Sequence, residues 1–116
     1  MNDFVFLFRS TADEQQAAMG TPEAAQRSLQ DYLAWMNGLQ ANGHLKDRGQ
    51  PLDRTGRVVR GATVTDGPYV EAKDLVLGFI VVQARDLEQA SELAAACPIA
   101  TGGGCVEVRP VMSLPF

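Results

Sequence analysis

The chain has 116 residues, 21% of them charged and 46% hydrophobic, with a formal net charge of -4 at pH 7. These values are typical of a globular protein, and we expect residues 1–116 to form a single domain. The acidic balance and the scattered lysines and arginines argue against nucleic acid and acidic membranes as partners. The apolar stretch FVFLF near the N-terminus is too short for a signal peptide or a membrane span, which favours the cytoplasm.

Two elements are predicted in the first third of the chain. The segment DFVFLFR is rich in β-formers between polar residues and predicts a strand. A helix follows, with Thr21 as N-cap, Pro22 as its first residue and Gly43 as the left-handed residue after its end. One stripe of this helix is apolar and predicts its buried face: Leu29, Tyr32, Leu33, Met36 and Leu39.

The middle and the end of the chain predict further strands and a second helix. HLKDRGQPLD is polar and turn-rich, and two strand-like segments, RTGRVVR and GATVT, then meet at Gly61. DLVLGFIVVQA predicts a long strand, and CVEVRPV predicts a closing strand. Between them, Asp86 is predicted to cap a helix in which Gln89 completes a capping box, and Pro98 ends that helix.

This order of elements predicts an α+β fold. Strand, helix, strand region, strand, helix and strand match the ferredoxin-like split β-α-β, with an antiparallel sheet and two helices on one face. The first strand is apolar on both sides, with Phe4, Phe6 and Phe8 on one and Val5 and Leu7 on the other. The long strand is expected to alternate in the same way: Leu75, Leu77, Phe79 and Val81 on one side, and Val76, Ile80 and Val82 on the other. Because two helices cover only one face, we expect a homodimer through the outer face of the sheet.

The stretch TVTDGPYVEAKD raises the question of a site. An aspartate at a turn usually accepts a bond from the N–H two residues later, but here that residue is Pro68, which has none. Asp66 is therefore either a turn residue or part of a site. An extended chain beyond it would place three polar side chains on one face, either to bind a small polar group or as a solvated surface: Tyr69, Glu71 and Lys73.

Two further residues are candidates for the site. His44 is the single histidine of the chain, and histidine is the side chain that titrates near neutral pH. Its position after Gly43 allows either an acid–base role or a bond to the last helix carbonyls. Arg109 shares a strand face with Glu107 and either binds an anion or pairs with that glutamate. Cys97 and Cys105 lack the spacing of a metal site or a disulfide framework, and no motif predicts a cofactor.

Several of these segments together resemble a known family. VTDGPYVEAKD, LGFIVVQARDLEQASELAAACP and GGCVEVRPV are similar to the YCII-related family, in particular to its DGPF-domain branch. Tyr69 stands where that branch usually has Phe, and Val76 and Leu77 interrupt its glycine-rich strand motif. The resemblance implies a dimeric α/β barrel without a settled reaction. It also implies a histidine–aspartate acid–base pair, which in this chain would consist of His44 and Asp66.

Two functions remain open from the sequence. In the first, the protein is a small cofactor-free enzyme that performs acid–base chemistry on a small molecule in a dimer-associated pocket. His44 or Asp66 would be its base, and Lys73 or Arg109 would stabilise developing negative charge. In the second, it is a non-catalytic dimeric module that binds a ligand or has a regulatory role.

Overall fold

The computed structural model describes residues 1–67 and 74–116. In this part of the chain four helices and six strands follow one another. Their bounds are β1 (Asn2–Ser10), α1 (Ala12–Met19), α2 (Pro22–Ala41), β2 (Leu45–Pro51), β3 (Gly56–Arg60), β4 (Thr63–Gly67), β5 (Leu75–Ala84), α3 (Leu87–Ala95), α4 (Pro98–Thr101) and β6 (Cys105–Pro110).

Four of the strands form one antiparallel sheet in the order β2-β5-β1-β6. This is the ferredoxin-like order, in which the first and third strands of the split β-α-β lie in the centre. Strands β3 and β4 form a separate two-stranded hairpin, which lies between β2 and β5 in the sequence. The predicted α+β fold is confirmed, although the described residues contain four helices where the sequence predicted two.

The core lies between the helices and one face of the sheet. Phe6 of β1 is opposite Ile80 on one side and Val108 on the other, and Phe6 and Ile80 are fully buried. The buried cluster combines strand and helix residues: Phe4, Phe6, Phe8, Met36, Leu39, Ile80, Val82, Ala84, Ala90, Ala94 and Cys97. Packing of this kind, worth roughly 25 cal/mol per Å² of buried apolar surface, fixes which face of the sheet is the inner one.

A bulge in β5 changes which of its residues share a face. Phe8 pairs with Gly78, whereas Arg9 pairs with Val76, so Leu77 is an extra residue between two paired positions. Leu75 therefore lies opposite Ser10, on the inner face. The predicted alternation holds from Gly78 onward but is wrong before the bulge, because an inserted residue reverses the faces.

Helix α1 was not predicted, because it has no apolar stripe and none of its residues is buried. Local hydrogen bonds define it instead. The Thr11 side chain accepts from the Glu14 N–H, and the Glu14 side chain accepts from the Thr11 N–H, which is a capping box. The helix is joined to α2 by a hydrogen bond of 2.8 Å from the Ser28 hydroxyl to the Ala18 carbonyl.

Strand β2 replaces the turn-rich loop expected after Gly43. It pairs with β5 through two register shifts, and Gly49, which lies within the second shift, has a φ of +58°. A Cβ at this glycine would overlap the carbonyl of Phe79, so the two strands approach closely there. Its polar sequence concealed the strand, because an edge strand with one covered face needs few apolar residues.

The ends of α2 agree with the prediction. Thr21 caps its first turn through the Ala24 N–H at 3.1 Å. At the other end Gly43 has a φ of +76°, its N–H bonds to the Gln40 carbonyl, and the His44 N–H bonds to the Leu39 carbonyl. These two bonds form a Schellman motif and place His44 directly at the start of β2.

The start of α3 differs slightly from the expected capping box. Asp86 accepts from the Gln89 N–H, as predicted, at 2.8 Å. The Gln89 side chain accepts from the N–H of Arg85 rather than from that of Asp86. No helix in the described ranges is long and apolar enough to cross a membrane.

Candidate functional site

His44 is held between the end of α2 and the sheet. Its Nδ1 lies 2.8 Å from the carbonyl oxygen of Gln83 in β5, and its backbone carbonyl accepts from the Gln83 N–H. A carbonyl oxygen only accepts, so Nδ1 carries the proton of this bond. In the neutral imidazole Nε2 then keeps its lone pair, which is the form that a base requires. The helix carbonyl of Leu39 is bound by the backbone of His44 and not by its ring.

Asp66 lies on the β3–β4 hairpin, whereas His44 precedes β2 of the four-stranded sheet. It is exposed on β4, opposite Arg57 of β3. Together with Arg54 and Thr55 these residues border an open depression beside the hairpin. In the described structure no direct hydrogen bond joins Asp66 to His44, whose ring bonds to Gln83. A contact through one water molecule stays a prediction.

Three of the predicted site residues lie outside the described residues: Tyr69, Glu71 and Lys73. Their predicted common face is therefore still a prediction.

Arg109 belongs to an ion-pair cluster on the outer face of the sheet. Its Nη1 donates to Glu107 Oε2 at 3.1 Å, and Arg9 Nη1 donates to Glu107 Oε1 at 2.7 Å. Asp74 lies 3.7 Å from the Arg9 guanidinium. Hydrogen bonds from Arg109 and Arg9 hold the pKa of Glu107 below its usual value, and Glu107 in turn raises the pKa of Arg9. Of the two alternatives for Arg109, the structure shows the pairing with Glu107.

A cavity of about 480 Å³ lies at the other side of the sheet, between α1, α2, β2 and β5. This volume is in the range of small-molecule sites, roughly 300–1,000 Å³. The wall is mostly apolar and consists of Phe8, Gln15, Ala18, Met19, Ser28, Leu29, Tyr32, Leu33, Met36, Arg48, Gly49, Gln50, Pro51, Leu77, Gly78, Phe79 and Ile99. A few polar groups within an apolar wall are the usual composition of a ligand pocket.

The N-terminal half of α2 lines the cavity, whereas its C-terminal half packs into the core. Met36 is buried against the core, whereas Leu29 and Leu33 are 55% and 42% exposed. Helix α1 is the facing wall, and the carbonyl of Ala18 is bonded to Ser28 of α2. The predicted burial of the apolar stripe is therefore confirmed for Met36 and Leu39 and wrong for Leu29 and Leu33, which line a cavity.

The sequence did not predict this cavity. Neither α1 nor β2 was predicted, and the two together form much of its wall. The one sequence signal for the cavity was the length of the apolar stripe of α2, because Leu29 and Leu33 continue this stripe into the N-terminal half of the helix. A wall assembled from distant segments cannot be read from any one of them.

Tyr32 and Arg48 are the cavity residues with the most distinctive chemistry. Burial raises the pKa of the Tyr32 hydroxyl to about 12, although the nearby charge of Arg48 acts in the opposite direction. The Tyr32 ring packs edge-on against Phe8 with centroids 5.6 Å apart, and it also contacts Trp35. The indole N–H of Trp35 donates to the Leu93 carbonyl at 3.1 Å, which holds this aromatic group in place.

The two cysteines differ in exposure. Cys97 is buried in the core, and its burial raises the pKa of the thiol, while Cys105 is exposed on β6. Both are free. Within residues 1–67 and 74–116, no group of three or more His, Cys, Asp or Glu side chains is arranged to hold a metal ion.

The strand order and the helix-covered sheet define a ferredoxin-like α+β domain. Comparison with protein families matches the YCII-related domain over residues 4–115, so the chain belongs to the YCII-related family. No curated protein matches the chain. The resemblance inferred from the sequence motifs is confirmed for the family, and assignment to the DGPF branch stays a prediction.

Proposed function

We propose that this YCII-related protein binds a small molecule in the cavity between α1, α2, β2 and β5. The observation that carries the proposal is the cavity itself, about 480 Å³ with a mostly apolar wall. Two half-exposed leucines of α2, Leu29 and Leu33, form part of that wall. An apolar ligand would remove them from water, at roughly 25 cal/mol per Å² of apolar surface.

A neutral fluorescent probe tests this binding without any knowledge of the natural ligand. N-phenyl-1-naphthylamine gains fluorescence when it leaves water for an apolar site. Leu33→Trp fills the cavity and should weaken probe binding at least about tenfold. Ala34→Trp is the matched control, because Ala34 is the next residue, is exposed and is not part of the wall. Equal probe binding by the two variants would contradict the proposal.

We further propose that the protein is a homodimer through the outer face of the sheet. The core packs the helices on the inner face, and the outer face carries Val5, Leu7, Phe79 and Val81. A second copy of the same face would cover this apolar strip by two-fold symmetry. The charged residues beside it, such as Glu107, are already paired within the chain.

The dimer can be tested by light scattering of Val5→Asp. Val5 is opposite Arg109 in the β1–β6 pair, so the new carboxylate has a cationic neighbour within the single chain. In a face-to-face dimer it would be buried, and the variant should become a folded monomer. Val64→Asp on the exposed part of the hairpin is the control. A monomeric wild-type protein at micromolar concentration would refute the dimer.

Cofactor-free acid–base catalysis is a second candidate function, supported by the hydrogen bond from His44 to the Gln83 carbonyl. That bond orients the imidazole and leaves Nε2 available. His44 does not line the cavity, and Gln83 and the cavity residue Phe79 are four residues apart on β5, or roughly 13 Å. Catalysis at His44 would therefore act on a substrate outside that cavity, which makes binding the better-supported function.

The catalytic candidate can be tested with a panel of p-nitrophenyl esters. If His44 is the base and Asp66 its partner, His44→Gln and Asp66→Asn should each lower turnover by about 100-fold. Asp53→Asn removes a different exposed aspartate carboxylate and should leave turnover unchanged. Absence of turnover by the wild-type protein, or turnover that His44→Gln does not change, would speak against catalysis at this position.

A further inference from the structure

The described wall of the cavity is uncharged except at one residue. Arg48 is the one charged side chain among the described wall residues, and no Asp or Glu accompanies it. The protein as a whole has a net charge of -4. The one charged side chain in the described cavity wall is thus positive, which favours a ligand with an anionic group.

Arg48 has no carboxylate partner within the described chain. The ion pairs of the structure involve Arg9, Arg85 and Arg109, together with Lys46. The Arg48 guanidinium instead donates one hydrogen bond to the neutral side-chain oxygen of Gln40, at 2.5 Å. Its planar fork has five N–H donors, so it can still bind an oxyanion through two parallel hydrogen bonds.

Tyr32 supplies a second donor to the same space. Its hydroxyl makes no hydrogen bond to any described residue. This hydroxyl is not fully enclosed, because every fully enclosed side-chain N or O atom of the described residues has a partner. Because burial raises its pKa to about 12, the phenol keeps its proton at neutral pH and acts as a donor. Tyr32 and Arg48 both line the cavity, so both donors face the same ligand space.

We infer that the ligand of the cavity is an apolar carboxylate. Its carboxylate would be bound by Arg48 and the Tyr32 hydroxyl, and its apolar body would contact Leu29 and Leu33. This inference rests on the proposed ligand-binding function and adds the class of ligand to it. A neutral molecule of the same shape would fill the apolar part but leave the guanidinium without an anionic partner.

A pair of matched probes tests the charge requirement: 2-naphthoate and 2-naphthamide. They share the same ring system and differ in the charged group, and their binding can be measured by calorimetry at pH 7.5. We expect 2-naphthoate to bind about tenfold tighter or more, because hydrogen bonds to charged groups are the stronger ones. Equal affinities for the two probes would overturn the inference.

Two substitutions assign this preference to residues. Arg48→Gln should bring the ratio of the two affinities to about one, and Tyr32→Phe should lower it about threefold. Arg60→Gln is the matched control, because Arg60 lies on the hairpin, is exposed and is in no ion pair of the described structure. A ratio unaffected by Arg48→Gln would also overturn the inference.

The neutral probe separates this failure from failure of the proposed function. If N-phenyl-1-naphthylamine binds in a manner sensitive to Leu33→Trp while the two naphthalene probes bind equally, the cavity is a binding site and the carboxylate assignment is wrong. If none of the three probes binds to the folded wild-type protein, both proposals are wrong. Circular dichroism of each variant confirms that the fold is retained.

Discussion

The two faces of the four-stranded sheet are both apolar but are organised differently. On the inner face Phe4, Phe6 and Phe8 are buried by helices. On the outer face Val5 and Leu7 lie opposite Arg109 and Glu107 of β6, which form an ion pair with each other. The inner face thus provides stability within one chain, whereas the outer face is suited to contact another molecule.

The largest difference in unfolding free energy is expected between substitutions at two adjacent residues of β1. Phe6→Ala removes a fully buried ring and should lower the free energy of unfolding by roughly 3–5 kcal/mol. In the Val5→Asp background, where no second copy is expected on the outer face, Leu7→Ala should cost less than about 2 kcal/mol, because Leu7 is only half-buried in the chain. Urea denaturation of both variants measures the difference. Equal losses would mean that the outer face is covered as fully as the inner one.

A smaller effect is expected where β2 approaches β5. Gly49→Ala requires a positive φ and brings a Cβ onto the Phe79 carbonyl, so it should destabilise the protein by about 1–3 kcal/mol. Gly38→Ala is the matched control, because Gly38 lies in α2 with open space around it. That change should stabilise the protein by about 0.5–1 kcal/mol. Thermal unfolding that shifts both variants in the same direction would contradict the close approach.

On the inner side, Tyr32 should make stability depend on alkaline pH. Its pKa is raised from 10.0 to about 12, so the folded protein keeps a proton that the unfolded chain loses in this window. The resulting stabilisation is fully present below pH 10 and disappears as the pH rises through about 12. Tyr32→Phe should flatten the stability profile between these two values. An unchanged slope between pH 10 and 12 would show that the phenol is not protected.

On the outer side, Glu107 should give the smallest effect and one of opposite sign. Its pKa is lowered from 4.5 by hydrogen bonds from Arg109 and Arg9, so its stabilisation is present above this value. It should be lost as the pH falls through the lowered pKa. Glu107→Gln should reduce this acid dependence, and Glu92→Gln on the exposed side of α3 should not. Acid titrations that coincide for both variants would exclude a role for the cluster.

The sequence predicted the elements whose signals are local. The caps at Thr21 and Asp86, the left-handed Gly43 and the apolar strands β1 and β5 were all read correctly. Each depends on residues within a few positions of one another, where side-chain spacing and capping chemistry decide the conformation. The ferredoxin-like order then followed from the sequence of these elements.

The remaining features depend on contacts between distant segments. Strand β2 is polar and owes its conformation to pairing with β5, and the bulge at Leu77 arises where β1 and β5 fit together. The cavity requires α1, which no hydrophobic pattern marks. His44 was placed correctly after Gly43, but its ring partner, the Gln83 carbonyl, is 39 residues away and was not foreseeable.

The irregularity of β2 has a consequence for association between chains. As an edge strand it could offer unpaired N–H and carbonyl groups to a strand of another molecule. Two register shifts and the terminal Pro51 interrupt the regular ladder that such growth needs. At the opposite edge, β6 ends at Pro110, which has no N–H. Both borders of the sheet thus have features that oppose the edge-to-edge extension that leads to fibrils.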